Sequence, residues 1–395
     1  MENLNDIIGK LKNERFFREK SEKIKSLEIF DRIALTKNEL LFLKINGENV
    51  YPIFKNGDGE KELLIDIVSK GEINGENGRI FYRGEKIDPE EFKDLTSQKD
   101  LTTNTILTGK NLFIKFYREL NPHSKREGEI LKEIKGCFKN IPEYLGTVSY
   151  EANGKEFPLF LILRKIDTGK TLWKYLMGSG KKEIIDIIKK VGDLTANLHI
   201  CLTRRWVKNL DERFKTFLIG DVEQILKKCE AKVEKNLPEI KELIESVREI
   251  DVEKTRFPLS QIHGDYHLEQ IIYDGRNFYI TDFEGEPILF KNQFFPILYD
   301  ISGMIRSFDY FISISGIKHS SFNEMTEAFI SKYFLTIKIS PSREDIKILS
   351  LLILRKNLYE IVYEMNNRPQ LLHIPVDGLN SFFKVLPALF KNYGA

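Results

Sequence analysis

Hydrophobic residues are arranged differently in two parts of the chain, with the change at about residue 166. Before it, short runs of β-branched and aromatic residues alternate with turn residues. One example is "ELLFLKINGENVYPIF", which predicts two strands joined at Asn46-Gly47. After it, apolar residues recur at helical spacing, as in "KEIIDIIKKVGDLTANLHICL", "DVEQILKKCEAKVEKNL" and "REDIKILSLLILRKNLYEIVYEM". The pattern therefore predicts an α+β chain with a strand-rich lobe followed by a helical lobe.

The strand-rich part divides again at about residue 92. Residues 1–92 predict a small α+β subdomain, in which residues 54–90, rich in Gly, Asn and charge, are expected to form hairpins and loops. Residues 93–165 contain a hairpin around Gly109, then a helix in "HSKREGEILKEIKGCF" and a strand in "PLFLILRKI". We therefore predict a cap subdomain (1–92), a strand-rich lobe (93–165) and a helical lobe (166–395).

Composition and charge exclude several classes of partner. The chain carries 61 basic and 59 acidic residues, and a net charge of +2 provides no broad basic field for nucleic acid. No stretch approaches about 20 uninterrupted apolar residues, and the N-terminus has no pattern of a secretory signal, so a cytoplasmic protein without a membrane span is expected. The cysteines, Cys137, Cys201 and Cys229, lack metal-type spacing and are expected to be reduced structural thiols.

Candidate chemistry is concentrated in "QIHGDYHLEQIIYDGRNFYITDFEGEP", residues 261–287. "QIIY" and "NFYITDF" are strand-like and flank a turn at "DGRN", which predicts a hairpin with Gln270 opposite Thr281. Asp282 follows Thr281, and the loop before Gln270 brings Asp265 to the same open end. The sequence therefore predicts a carboxylate and amide cluster at one end of the hairpin, although a polar hairpin around a buried His is the alternative.

Phosphoryl transfer from a nucleotide requires this set of groups. A carboxylate orients the attacking hydroxyl, and oxygen ligands hold Mg²⁺ on the phosphates of ATP. In protein kinases the catalytic loop H-R-D-x-x-x-x-N precedes D-F-G, and His263-Gly264-Asp265, Gln270 and Asp282-Phe283-Glu284 keep this order and spacing. We therefore predict Asp265 as the catalytic base, Gln270 and Asp282 as Mg²⁺ ligands, and Glu284 as a further metal or acceptor residue.

A kinase also needs a lysine on an upstream strand, held by a helical glutamate. Lys115 ends "LFIK", and Glu127 or Glu129 lies on the following helix. Glu129 is preferred because Ile130 and Leu131 beside it have the character of packing positions. No Gly-rich loop precedes Lys115. The turn at 99–105 is predicted instead to contact nucleotide phosphates, through the residues Thr103, Asn104 and Thr105.

The segments "HGDYHLEQ", "DFEGEP" and "DISGMIRSFDY" resemble the maltokinases, sugar kinases with the aminoglycoside-phosphotransferase fold. "NTILTGKNLFIKFYREL", "KNLYEIVYEMNNRPQLLHIPVDGL" and "ERFFREK" extend the resemblance over nearly the whole chain. It implies a bilobal kinase fold with a capping subdomain, ATP and Mg²⁺ as cofactors, and transfer of phosphate to the anomeric oxygen of maltose. Glu269 departs from the family, in which a small residue is usual before the metal glutamine.

Four further residues are predicted on the acceptor side of such a site: His267, Arg306, Glu360 and Glu364. Structural ion pairs are the alternative for the two glutamates, and a role in shaping the loop is the alternative for His267. Asp300 is expected to brace the catalytic loop.

The identity of the acceptor stays open at this point. Maltose is the expected acceptor, and the carboxylates at positions 284, 286, 360 and 364 keep a cationic acceptor, such as glucosamine or an aminoglycoside, as the alternative. A nucleotide-binding pseudokinase that acts as a scaffold is the alternative outside catalysis. The expected partners are ATP and a small-molecule sugar, and a monomer is favoured over an oligomer.

Overall fold

A computed structural model describes residues 9, 11–12, 17, 24–47, 49–98, 104–166, 168–316 and 320–393, with backbone alone at 320 and 385–393. The chain forms two compact units. The first comprises Met1–Lys135 and Pro142–Thr168, and the second comprises Gly136–Ile141 and Gly169–Ala395. The first is rich in sheet and the second is helical, which confirms the predicted α+β fold class with a strand-rich and a helical lobe.

The first unit contains two antiparallel sheets among its described residues. The smaller sheet places its three strands in chain order: Leu27–Ala34, Glu39–Ile45 and Asn49–Phe54. Asn46 and Gly47 join the last two with φ of 51° and 77°, a turn that Asn-Gly adopts readily and that confirms the predicted hairpin.

The larger sheet has seven strands and begins within the predicted cap. In spatial order they are Glu72–Asn74, Gly78–Gly84, Tyr144–Ala152, Lys155–Arg164, Leu112–Phe116, Thr105–Thr108 and Thr96–Gln98. The hairpin predicted around Gly109 is present, as is the strand predicted in "PLFLILRKI". Because one sheet and one hydrophobic core run through residues on both sides of position 92, the separation of a cap from a strand-rich lobe stays a prediction.

Two helices of the first unit are described, Glu60–Lys70 and Lys125–Ile134. The second was predicted, whereas the first lies in a segment predicted as hairpins and loops. Leu63, Leu64 and Ile67 are buried at helical spacing. Gly71, at φ 80°, ends the helix. The prediction was wrong here because it followed the glycine-rich and charged residues on either side of the helix, and the helical spacing of the buried residues between them was not recognised.

The second unit is built on helices, with short two- and three-stranded sheets. Its α-helices in the described residues are Leu172–Leu176, Lys181–Arg205, Glu212–Cys229, Leu237–Arg248, Leu298–Ser315, Ser320–Ile337, Arg343–Asn367 and His373–Tyr393. Its strands are Lys170–Thr171, Leu259–Ser260, Ile271–Tyr273, Phe278–Ile280 and Phe295–Pro296. Two of the three amphipathic segments identified in the sequence are therefore helical throughout, as predicted, whereas "DVEQILKKCEAKVEKNL" is α-helical only to Cys229 and continues as short 3₁₀ turns. No described helix combines the length and the apolar character needed to cross a bilayer.

A disulfide bond joins Cys137 to Cys201 within the second unit, with Cα atoms 5.8 Å apart. Cys229 is free and buried, and burial raises the pKa of its thiol to about 11. The expectation of three reduced thiols was therefore wrong for the first two, because cysteines separated by 64 residues carry no local spacing pattern.

Candidate active site

The predicted hairpin forms the framework of the site in the second unit. Ile271–Tyr273 pairs with Phe278–Ile280, and the Asp274 carboxylate accepts hydrogen bonds of 2.7 Å from the backbone N–H groups of the turn. At the open end, the Thr281 N–H donates to the Gln270 carbonyl at 2.9 Å. This contact confirms the predicted register.

The loop that carries Asp265 is held by a buried carboxylate. The Asp300 side chain accepts hydrogen bonds of 2.8 Å from the N–H groups of His263 and Gly264, and the His199 imidazole lies 3.1 Å away. Gly264 has φ 87°, and a Cβ there would lie 2.1 Å from Leu289 Cδ1, so only glycine fits this bend. Asp300 therefore braces the loop, as predicted.

His263 has a structural role. Its Nε2 lies 2.8 Å from the Thr281 carbonyl, and its Nδ1 accepts a hydrogen bond from the Asp265 N–H at 3.3 Å. The residue is fully buried, and burial lowers the pKa of its imidazole. A neutral ring therefore ties the Asp265 loop to the hairpin.

Asp265 lies beside a lysine that was not predicted from the sequence. The Lys356 ammonium donates to Asp265 Oδ1 at 3.2 Å and also contacts Glu286, while His267 Nε2 lies 3.7 Å from Asp265 Oδ2. Burial by itself would raise the pKa of the Asp265 carboxyl, but the Lys356 ammonium and the His267 imidazole outweigh it and hold that pKa well below its ordinary value. Asp265 is therefore an ionised carboxylate with one oxygen held in place.

The two predicted metal ligands contact each other. The Gln270 side-chain amide donates to Asp282 Oδ2 at 3.3 Å. Asp282 has φ 66°, a left-handed backbone conformation that is uncommon outside glycine and that recurs at functional sites. Carboxylate and amide oxygens suit Mg²⁺, so this pair fits the ion. Glu284 is half-buried two residues further on, and its metal role stays a prediction.

A cavity of about 590 Å³ opens beside Asp265. Its walls include three of the predicted acceptor residues, His267, Glu360 and Glu364. Further charged and aromatic groups line it: Glu269, Glu286, Lys356, Arg368, Trp173, Tyr310, Tyr359 and Tyr363. The volume lies in the range of small-molecule sites, roughly 300–1,000 Å³.

Arg306, the fourth residue predicted on the acceptor side, does not line this cavity. Its side chain is 1% exposed, and its guanidinium lies 2.9 Å from Asp309 Oδ2 and 2.8 Å from Glu360 Oε2. The burial follows from its place on the helix Leu298–Ser315, which is buried on nearly every face. Arg306 therefore orients Glu360 from behind the cavity wall.

The predicted phosphate lysine lies in the first unit, on the strand Leu112–Phe116. The Lys115 ammonium donates to Glu127 Oε2 at 2.7 Å, and both side chains are buried. Glu129, chosen from the sequence, is exposed and lies 3.4 Å from Lys125. That choice was wrong because Glu127 shares the buried helix face with Ile130, Leu131 and Ile134, at spacings of three, four and seven residues.

The predicted phosphate-binding turn is described only at its end, since Thr103 lies outside the described residues. Asn104 is half-buried. Thr105 is buried at the start of a strand, and its hydroxyl lies 3.5 Å from Arg118 Nη1. Its side chain therefore lies in the interior of the unit. Nucleotide contacts from Thr103 and Asn104 stay predictions.

Comparison with known proteins identifies the fold. No family model matches the chain. A glucosamine kinase from Mycolicibacterium smegmatis is 20% identical over 355 residues, covering 81% of this chain and 86% of that protein. A glucosamine kinase crystal structure (crystal form B) matches 93% of this chain and 96% of its own with a TM-score of 0.72 and 15% identity. A glucosamine kinase in complex with glucosamine, ADP and inorganic phosphate covers 91% and 94% with a TM-score of 0.68 and 15% identity. The chain therefore has the fold of these kinases, and the expected kinase-like fold is confirmed.

Proposed function

We propose that this protein is an ATP-dependent phosphotransferase that phosphorylates a hydroxyl group of an amino sugar such as glucosamine. The observation that carries the proposal is the position of Asp265. Its ionised carboxylate lies at the wall of a sugar-sized cavity, on the loop that leads into the hairpin bearing Gln270 and Asp282. The similarity to glucosamine kinases supports the same reaction class.

Asp265 would orient the sugar hydroxyl and accept its proton as the phosphoryl group transfers. Lys356 donates to Oδ1, so Oδ2, which lies 3.7 Å from His267 Nε2, is the oxygen that would meet the hydroxyl. The assignment is consistent with the depressed pKa of Asp265, because the base must be ionised before it can accept a proton.

Gln270 and Asp282 would hold Mg²⁺, which neutralises phosphate charge when it is bound. In the first unit, the Lys115 ammonium would contact the phosphates of ATP and is fixed for that task by Glu127. Its burial beside a carboxylate keeps the lysine in one orientation.

The charge of the acceptor cavity favours an amino sugar over maltose. Among the described residues, five carboxylates line it against the two cationic side chains Lys356 and Arg368. The carboxylates are Asp265, Glu269, Glu286, Glu360 and Glu364. A net negative wall attracts an ammonium group and gives no comparable advantage to a neutral disaccharide. The maltose specificity implied by the family resemblance is therefore the second candidate.

The test is a phosphotransfer assay with ATP on glucosamine, glucose, maltose and kanamycin. Wild-type protein should prefer glucosamine. Asp265→Asn should lower kcat by about 10²–10⁴-fold while Mg-ATP binding is retained, because it removes a base rather than a metal ligand. Asp186→Asn, an exposed position on the helix Lys181–Arg205, is the matched control.

Three outcomes would contradict parts of this proposal. A preference for maltose would replace the amino-sugar assignment but leave the phosphotransferase. Full activity of Asp265→Asn would show that another group is the base. Binding of Mg-ATP without phosphorylation of any sugar would favour a scaffold.

A further inference from the structure

The five carboxylates of the acceptor cavity differ in how their charge is neutralised. Glu286 contacts Lys356 and lies 3.4 Å from Arg355. Three of the other carboxylates also contact a cationic side chain. Asp265 lies 3.2 Å from Lys356, Glu360 lies 2.8 Å from Arg306, and Glu364 lies 2.5 Å from Arg368.

Glu269 is the exception. Its carboxylate has no ion pair or hydrogen bond within the described part of the chain, and its side chain lines the cavity. It lies on the short 3₁₀ turn Leu268–Gln270, whose start is capped by His267 Nδ1, 3.3 Å from the Glu269 N–H. This hydrogen bond fixes the backbone from which the glutamate projects.

The three residues of this turn point in different directions. Leu268 is fully buried, and the Gln270 amide contacts Asp282 rather than the cavity. Glu269 is half-buried and faces the cavity, beside His267 and Asp265 in its wall. The turn therefore directs Glu269 towards the acceptor cavity and its neighbour Gln270 towards the proposed metal site.

We propose that Glu269 is the counterion of the acceptor's ammonium group and thereby selects aminated sugars over neutral ones. The inference rests on the proposed function and names the residue responsible for its specificity. An ammonium placed at Glu286, Glu360 or Glu364 would have to compete with a cationic side chain already in contact. At Glu269 it meets an unneutralised carboxylate, and hydrogen bonds between charged groups are the strong ones.

The size of the effect follows from the loss of one such bond. Hydrogen bonds to charged groups contribute about 1.5–3 kcal/mol, which is about 10–100-fold in kcat/KM. Glu269→Gln keeps the length of the side chain and its capacity to bond a hydroxyl, so it removes the charge alone.

The experiment measures kcat/KM for glucosamine and for glucose in parallel. In Glu269→Gln the ratio of the glucosamine value to the glucose value should fall about 10–100-fold. Glu269→Asp keeps the charge and should retain part of the preference. Glu253→Gln, an exposed glutamate of the same unit, should leave the ratio unchanged.

The outcomes separate this inference from the proposed function. If wild-type protein phosphorylates no sugar, the proposed function and the role of Glu269 are both overturned. If it phosphorylates glucosamine and Glu269→Gln keeps the full preference, the kinase stands and Glu269 is not the counterion. Equal losses on both sugars in Glu269→Gln would also overturn the inference, because they would indicate a structural role.

Discussion

Replacing Lys356 with methionine should impair the proposed base without removing it. Methionine keeps most of the length and the apolar stem of the lysine but removes the ammonium that contacts Asp265 and Glu286. Asp265 would then lose the hydrogen bond that orients Oδ1 and the strongest charge that keeps it ionised. We therefore expect both a lower kcat and a changed dependence on pH.

The magnitude can be worked from the geometry. Opposite unit charges 3.2 Å apart attract by about 5 kcal/mol at an effective dielectric constant of about 20. The Asp265 side chain is 39% exposed, so water screens much of this attraction. A remaining effect of about 1.4 kcal/mol would favour the protonated form of Asp265 about 10-fold and so raise its pKa. The lost orienting bond should lower kcat by about 10–100-fold.

The sign of the pH effect follows from the proposed role of Asp265 as a base. In wild type its pKa is depressed, so the acid limb of kcat/KM against pH lies at low pH. Without Lys356, the effect of burial on the pKa of Asp265 is opposed by His267 but no longer by the ammonium, and that pKa rises. The acid limb should therefore move to higher pH.

The assay is the pH profile of kcat/KM for glucosamine with saturating Mg-ATP, alongside the melting temperature. Lys347→Met is the matched control, since it lies on the same helix and its ammonium donates to the Ser246 carbonyl at 3.1 Å rather than to the site. Lys356→Arg should restore part of the activity. An unmoved acid limb with normal kcat in Lys356→Met would refute the coupling of Lys356 to the base.

Three further predictions concern other contacts. Glu127→Gln should raise the KM for Mg-ATP by about 10-fold or more, whereas Glu129→Gln should not, because Glu127 contacts Lys115 and Glu129 contacts Lys125 instead. Equal effects of the two substitutions would show that the Lys115–Glu127 pair has no part in nucleotide binding. Cys137→Ser should lower the free energy of unfolding by about 4 kcal/mol under oxidising conditions, because the disulfide closes a loop of 64 residues. In reductant the variant and wild type should be equally stable. Detection of three reactive thiols in wild-type protein that is unfolded but not reduced would contradict the disulfide bond. In Gly264→Ala the loss of kcat should be out of proportion to the fall in melting temperature. An alanine in the left-handed conformation costs about 1–2 kcal/mol and would displace the Asp265 loop. Normal kinetics would show that the loop tolerates the strain.

The local part of the site could be predicted from the sequence because it lies within one hairpin. The turn at Asp274 sets the pairing, and the pairing sets Gln270 opposite Thr281 and beside Asp282. Residues so close in the chain have few alternative arrangements. The strand of Lys115 was predictable for the same reason, since its hairpin partner is adjacent.

The contacts that were missed join residues far apart in the chain. Lys356 is 91 residues from Asp265 and 70 from Glu286, and nothing in the local pattern of its helix distinguishes it from other lysines. The Cys137–Cys201 bond is of the same kind. Glu127 is different, because the helix face it shares with Ile130 and Ile134 was visible in the sequence and was not used.

The specificity of the acceptor cavity depends on these distant contacts more than on its composition. The sequence shows carboxylates on several elements, which kept a cationic acceptor as the alternative to maltose. Their charge is largely cancelled by cations that come mainly from the helices Leu298–Ser315 and Arg343–Asn367 and from the residue that follows the second. Whether a glutamate can bind a substrate ammonium thus depends on whether a cationic side chain already contacts it. By that criterion we expect Glu269, whose carboxylate contacts no cation in the described residues, to contribute more to selectivity than Glu360 and Glu364, the two glutamates predicted from the sequence.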